Sequence, residues 1–116
     1  MNRQDQLNHY LKYWQRILNL QKWDLKIKIT AFKRTDYNQS GDIEVDLKNK
    51  KATILITKED TGKDSAVILH ELIHLLLWEF DQFCEKAIPK NKKDQYFDLL
   101  EKTAADLTNI FLQKDK

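Results

Sequence analysis

The stretch 66–80 constrains this chain most. Ala66, Val67, Ile68, Leu69, Leu72, Ile73, Leu75, Leu76, Leu77, Trp78 and Phe80 are all apolar, and wound into a helix they leave no polar side. Such a helix is expected to be buried all round. Set inside it is His70-Glu71-Leu72-Ile73-His74, an H-E-x-x-H pentad. Two imidazoles and a carboxylate in apolar surroundings are costly without partners. The histidines are one turn apart, ~6 Å along the axis, on one face. Both rings can therefore reach one tetrahedral Zn²⁺. Glu71 projects ~100° from His70, beside that ion rather than onto it, where a carboxylate can act on water. The competing reading, core or capping residues that coincide, leaves three polar groups without partners. These residue types at this spacing are the set used in metal-assisted hydrolysis.

The 116 residues suffice for one domain, 1–116, with one modest core of helices on a sheet. The net charge of +2 combines many charges of both signs, so neither a nucleic acid nor an anionic membrane is expected as a partner. The clusters Lys48-Asn49-Lys50-Lys51 and Lys90-Asn91-Lys92-Lys93 read as solvated turns, with too few aromatic neighbours for base stacking. Cys84 is the only cysteine, so no internal disulfide can form and a reducing compartment is expected. The start, Met-Asn-Arg-Gln-Asp-Gln-Leu, holds no apolar signal core. The run Leu75–Trp78 is far too short to span a bilayer. The expectation is a cytoplasmic protein; oligomeric state is not encoded legibly.

Hydrophobic periodicity predicts six elements. Leu7, Leu11, Trp14, Ile17 and Leu18 form a helical stripe over about Gln4 to Leu20. Asp24 to Phe32 alternates, with Leu25, Ile27 and Ile29 on one face. Thr35 to Gly41 is turn-like. Ile43, Val45 and Leu47 alternate again, and a hairpin turn at Asn49-Lys50 leads into a third strand, Ala52 to Thr57, rich in β-branched residues. Thr61 and Asp64 stand in capping-box spacing, and the H-E-x-x-H helix is expected to run to about Asp81. After Pro89 and a lysine-rich turn, a last helix covers about Lys93 to Leu112. The order α-β-β-β-α-α predicts an α+β domain.

A catalytic zinc takes three protein ligands and keeps one position open. A third histidine in the metzincin pattern would require Gly at 77 and His at 80; the chain has Leu77 and Phe80, which excludes that class. His9 is the only other histidine and reads as a surface residue of the first helix. Asp81 lies two turns beyond His74, roughly 10 Å along a rigid helix. Cys84 reads as an isolated buried thiol. Glu101 is the favoured ligand: on the last helix Phe97, Leu100, Ala104, Leu107 and Phe111 define the apolar face, and Glu101 falls at its flank, between Phe97 and Ala105 with Thr108 beside it. An acid turned toward a core is expensive unless paired or metal-bound.

Two histidines in H-E-x-x-H and a glutamate on the following helix resemble the gluzincin metallopeptidases. The small size is similar to the minimal gluzincin domains, or minigluzincins, and to small phage and bacterial H-E-x-x-H proteins related to the metallopeptidases that cleave phage repressors. The resemblance covers roughly Ala52 to Leu112. It implies a minimal zincin-like fold, His70, His74 and Glu101 on Zn²⁺, Glu71 as general base and acid, and a peptide or unstructured protein as substrate. It also implies that the strand before the active-site helix, Ala52 to Thr57, accepts substrate as an added antiparallel strand. Larger gluzincins often carry an Asp four residues after the ligand glutamate to hold a histidine ring; here that position is Ala105, so the orienting residue is unassigned. Tyr37, His9, Lys63 and Tyr96 are the candidates for a second oxyanion donor. The expected function is zinc-dependent peptide hydrolysis, with a latent form if the tail 112–116 reaches the cleft. The alternative is a zincin-like protein that binds zinc without efficient turnover and serves as a protein-interaction module.

Overall fold

The computed structural model describes residues 2–32 and 40–115. Its elements are α1 (Arg3–Ile17), β1 (Asp24–Thr30), β2 (Gly41–Asp46), β3 (Lys51–Thr57), α2 (Asp64–Leu76), α3 (Trp78–Ala87), a single 3-10 turn at Lys90–Lys92, and α4 (Lys93–Lys114). This is the expected α+β layout with one helix more, because the long H-E-x-x-H helix divides. The turn expected over 35–41 lies, up to Gln39, outside the described residues, as does Tyr37.

The three strands form one sheet in the order β1-β3-β2. β1 runs parallel to β3, and β2 antiparallel to it through the hairpin. The register aligns three rows on one face: Leu25-Ala52-Val45, Ile27-Ile54-Ile43 and Ile29-Ile56-Gly41. Ala52, Ile54 and Ile56 are buried along β3. In the hairpin Lys50 takes a left-handed φ of 55°, and the Asp46 carboxylate accepts from Asn49 N and Nδ2 at 3.2 and 2.8 Å.

β3 is therefore the central strand, paired on both edges, and cannot accept substrate as an added strand. That expectation is corrected here: β2 is the outer strand on the side of the cleft. Alternation of apolar residues identifies strands and their faces, but it does not tell which strand lies in the middle.

Helices cover the apolar face. α1 contributes Leu7, Leu11 and Trp14, with Leu18 just past its end; Ile17, expected in the same stripe, is exposed. Trp14 Nε1 donates to Ser65 Oγ at 2.9 Å and fixes α1 against α2. Ile68, Leu69, Leu72 and Ile73 of α2 have no solvent exposure, each worth about 1.5–3 kcal/mol of burial.

Burial on all sides holds only over part of the stretch. Leu76 and Phe80 are exposed, and α2 stops at Leu76. Leu77, at φ −90° and ψ 3°, separates it from α3. The turn brings Asp81 against α4, where Tyr96 donates to its carboxylate at 2.6 Å.

The expected capping box is also absent. Lys63 occupies the N-cap position of α2 and makes no side-chain cap bond. Asp64 has a stronger partner: Arg3 Nε and Nη2 donate to its two oxygens at 2.9 and 3.0 Å. The same guanidinium donates to the carbonyls of Thr57 and Lys58 at 2.9 Å each. One arginine thus ties the start of α1 to the loop that launches α2.

Candidate metal centre

α2 presents His70 and His74 one turn apart on the side facing α4, as their spacing dictates. α4 returns across α2 and brings Glu101 to them. Glu101 Oε1 is 2.8 Å from His74 Nε2 and Oε2 is 3.3 Å from His70 Nε2. The two Nε2 atoms are 3.2 Å apart. One ligand atom from each of the three residues lies within 4.8 Å of the others. Four electron-rich atoms thus converge on one point. Protons on both Nε2 atoms would serve the two carboxylate contacts but would face each other across 3.2 Å. A cation at the centre satisfies all of them, and two imidazoles with one carboxylate are a donor set for Zn²⁺. The residues present fit the metal that the sequence implies.

Charge within the cluster is tightly coupled. The imidazole groups of His70 and His74 beside it hold the Glu101 carboxyl far below the usual carboxylate range. Burial pulls His74 down, but the hydrogen bond and charge of Glu101 outweigh it and its pKa is raised.

Glu101 reaches this position for a reason other than the one inferred from periodicity. Its side chain is 63 % exposed, and Phe97, assigned to the apolar face, is exposed as well. Ala104 and Thr108 are the buried positions of α4. The face of α4 against α2 is narrower than the apolar pattern suggests, and Glu101 stands at its rim, above the cleft.

Glu71 differs from Glu101. It is 8 % exposed, and burial pushes its carboxyl up to about 7, with the nearby charges of Asp42 and Glu101 adding to the rise and those of His74 and His70 opposing it. Gly41 lets the helix that carries it lie close against the sheet. A Cβ at that position would fall 2.5 Å from Val67 Cγ1 and 3.5 Å from Glu71 Cγ. The third cross-sheet row, Ile29-Ile56-Gly41, ends in a glycine because α2 crosses the sheet closely there.

These groups line a cleft of about 990 Å³, whose walls include Ser40–Ile43, Lys63, Val67, Trp78, Ala105, Thr108 and Asn109. Of the four candidate oxyanion donors, only Lys63 lines it among the described residues. Tyr96 donates to Asp81 instead, and burial together with that bond pushes its phenol up. His9 is an exposed residue of α1. Asp81 and Cys84, the rival third ligands, lie outside the histidine cluster. Residues 112–114 continue α4, and Tyr13 of α1 donates to Asp115. No described residue of the tail lines the cleft.

Sequence reasoning missed Gly41 and Asp42, which carry no motif. It placed Thr108 beside Glu101 without a role, although His70 Nδ1 lies 3.4 Å from Thr108 Oγ1. Comparison with known protein families, with curated proteins and with solved structures finds no match to this chain.

Proposed function

We propose that this chain is a zinc-dependent hydrolase of peptide bonds, with a site of gluzincin type. The observation that carries the reading is the arrival of the Glu101 carboxylate, from a separate helix, at both histidine Nε2 atoms. His70, His74 and Glu101 would hold the ion. When bound, Zn²⁺ acidifies water and polarises a carbonyl group.

Glu71 acts on the proton. Its carboxylate takes one from water as the oxygen bonds to the peptide carbonyl carbon. It then delivers that proton to the amide nitrogen as the C–N bond breaks. Burial pushes this carboxyl up and a cation beside it would draw it down, opposing effects on a group that must both take and return a proton. Of the candidate donors among the described residues Lys63 lines the cleft, and we assign it the role of facing the developing negative charge.

Substrate specificity rests on the backbone. β2 is the outer strand of the sheet and lines the cleft through Asp42 and Ile43. An extended segment can add to such an edge by main-chain hydrogen bonds, which suits an unstructured peptide better than a folded protein. No helix among the described residues is long and apolar enough to cross a membrane, and the single cysteine is free; a reducing cytoplasmic setting is part of the proposal.

The test is twofold. Protein stripped with EDTA should gain stability on adding Zn²⁺, by about 2.7 kcal/mol at 100 times the dissociation constant. It should then cleave unstructured peptides. A melting temperature indifferent to Zn²⁺ refutes the metal site. Zinc uptake without cleavage leaves the binding protein as the better reading.

A further inference from the structure

We infer that Thr108 is the residue that orients His70, in place of the acid that Ala105 cannot supply. The inference rests on the metal reading of the site. Thr108 is buried, at 6 % exposure. Its hydroxyl donates to the Ala104 carbonyl oxygen at 2.8 Å. A hydroxyl has a single proton and two lone pairs, so with its proton engaged it can only accept from a further partner. That partner is His70, whose Nδ1 is 3.4 Å from Oγ1. The neutral ring must then carry its proton on Nδ1, and its lone pair is on Nε2. Nε2 is the atom that faces Glu101 and His74, at 3.3 and 3.2 Å.

The chain Nδ1–H to Thr108 Oγ1, and Oγ1–H to Ala104 O, therefore selects the tautomer that can ligate and fixes the ring plane. Metal-bound histidines are commonly held this way from their second nitrogen. Glu101 and Thr108 are seven residues apart, two turns on nearly the same face of α4. One helix thus supplies both a ligand and the support of another ligand. Thr108 is a positioning residue: it acts through His70.

The test uses the full chain with Thr108→Val, which keeps the shape and removes the hydroxyl, and Thr108→Ser, which keeps the hydroxyl. Zinc affinity is measured by competition with a chromophoric chelator, alongside melting of the metal-free proteins. Thr108→Val should bind Zn²⁺ about 10–100-fold more weakly, and Thr108→Ser should recover most of the loss. Long-range ¹H–¹⁵N spectra of the zinc-loaded wild type should show His70 protonated on Nδ1, a reading that needs no variant to fold.

A His70 ring bound through Nδ1, with its proton on Nε2, overturns the inference. So does a Thr108→Val protein that binds zinc as the wild type does, or two variants that lose affinity only in proportion to melting temperature. A wild-type chain that takes up no Zn²⁺ overturns the metal reading, and this inference with it; the other outcomes leave the metal reading standing.

Discussion

Gly41→Ala is the substitution whose effect follows most directly from the packing of sheet and helix. The added Cβ would sit 2.5 Å from Val67 Cγ1 and 3.4 Å from the Leu55 carbonyl oxygen. Carbon atoms pack at about 3.5–4.0 Å, so roughly 1 Å of clearance is missing. Val67 swings aside only at a cost, because a helical valine has one strongly preferred rotamer. Either α2 lifts away from β2 or Val67 leaves its rotamer, and overpacking of this kind costs about 1–3 kcal/mol. In a chain of this length each kcal/mol is worth about 4 °C, so the melting temperature should fall by about 4–12 °C. Glu71 stands one turn beyond Val67, and its Cγ is 3.5 Å from the same point. Lifting α2 therefore displaces the carboxylate, and cleavage should fall more than stability does. Val67→Ala removes the clashing atom. In a double-mutant cycle followed by thermal melting, it should return at least about 1 kcal/mol beyond the sum of the single effects. A Gly41→Ala protein that melts like the wild type, or a Val67→Ala change that merely adds its own loss, would refute this account of how β2 and α2 meet.

Glu71→Gln should keep zinc and abolish cleavage, because the carboxylate serves water rather than the ion; metal analysis beside a peptide assay checks this, and loss of zinc with the fold intact contradicts the role. Glu101→Ala should weaken zinc binding by far more than Asp98→Ala or Asp106→Ala in the same competition assay, since Asp98 is an exposed residue and Asp106 is engaged with Lys102 on the surface of α4. Equal effects from all three would mean that charge alone, not ligation, is at work. Arg3→Met should cost about 2–4 kcal/mol in urea denaturation, because it strands a buried Asp64 and the part-buried carbonyl of Thr57. A loss within the 0 to about 1 kcal/mol of an ordinary surface pair would show that the clasp is not needed.

Local rules made parts of this molecule legible. His70, Glu71 and His74 follow from helical geometry alone, since a pentad of known period fixes its own facing. Strand existence and facing followed from alternation, and the rows Leu25-Ala52-Val45 and Ile27-Ile54-Ile43 confirm it. Strand neighbours did not, because period-2 patterns are the same for a central and an edge strand; the edge beside the cleft is β2, not the expected β3. The break at Leu77 is hidden in the sequence because apolar residues continue through it; beyond it Asp81 pairs with Tyr96 of α4. Asp64 reads in the sequence as a local cap, but a guanidinium 61 residues away in sequence outcompetes a backbone N–H. Glu101 reads in the sequence as an acid facing a core; it meets both imidazoles from an exposed rim. Helical period brought it to the right side of α4, and the crossing of α4 over α2, which no local pattern encodes, did the rest.

The most direct test of the central claim is a crystal structure of the zinc-loaded chain with anomalous data at the zinc edge. The account predicts one ion, with His70 Nε2 and His74 Nε2 at about 2.0–2.1 Å and a Glu101 carboxylate oxygen at about 2.0–2.2 Å. An ion whose third protein ligand is Cys84, Asp81 or His9 would contradict the ligand set, and no ion at the histidines would contradict the site itself.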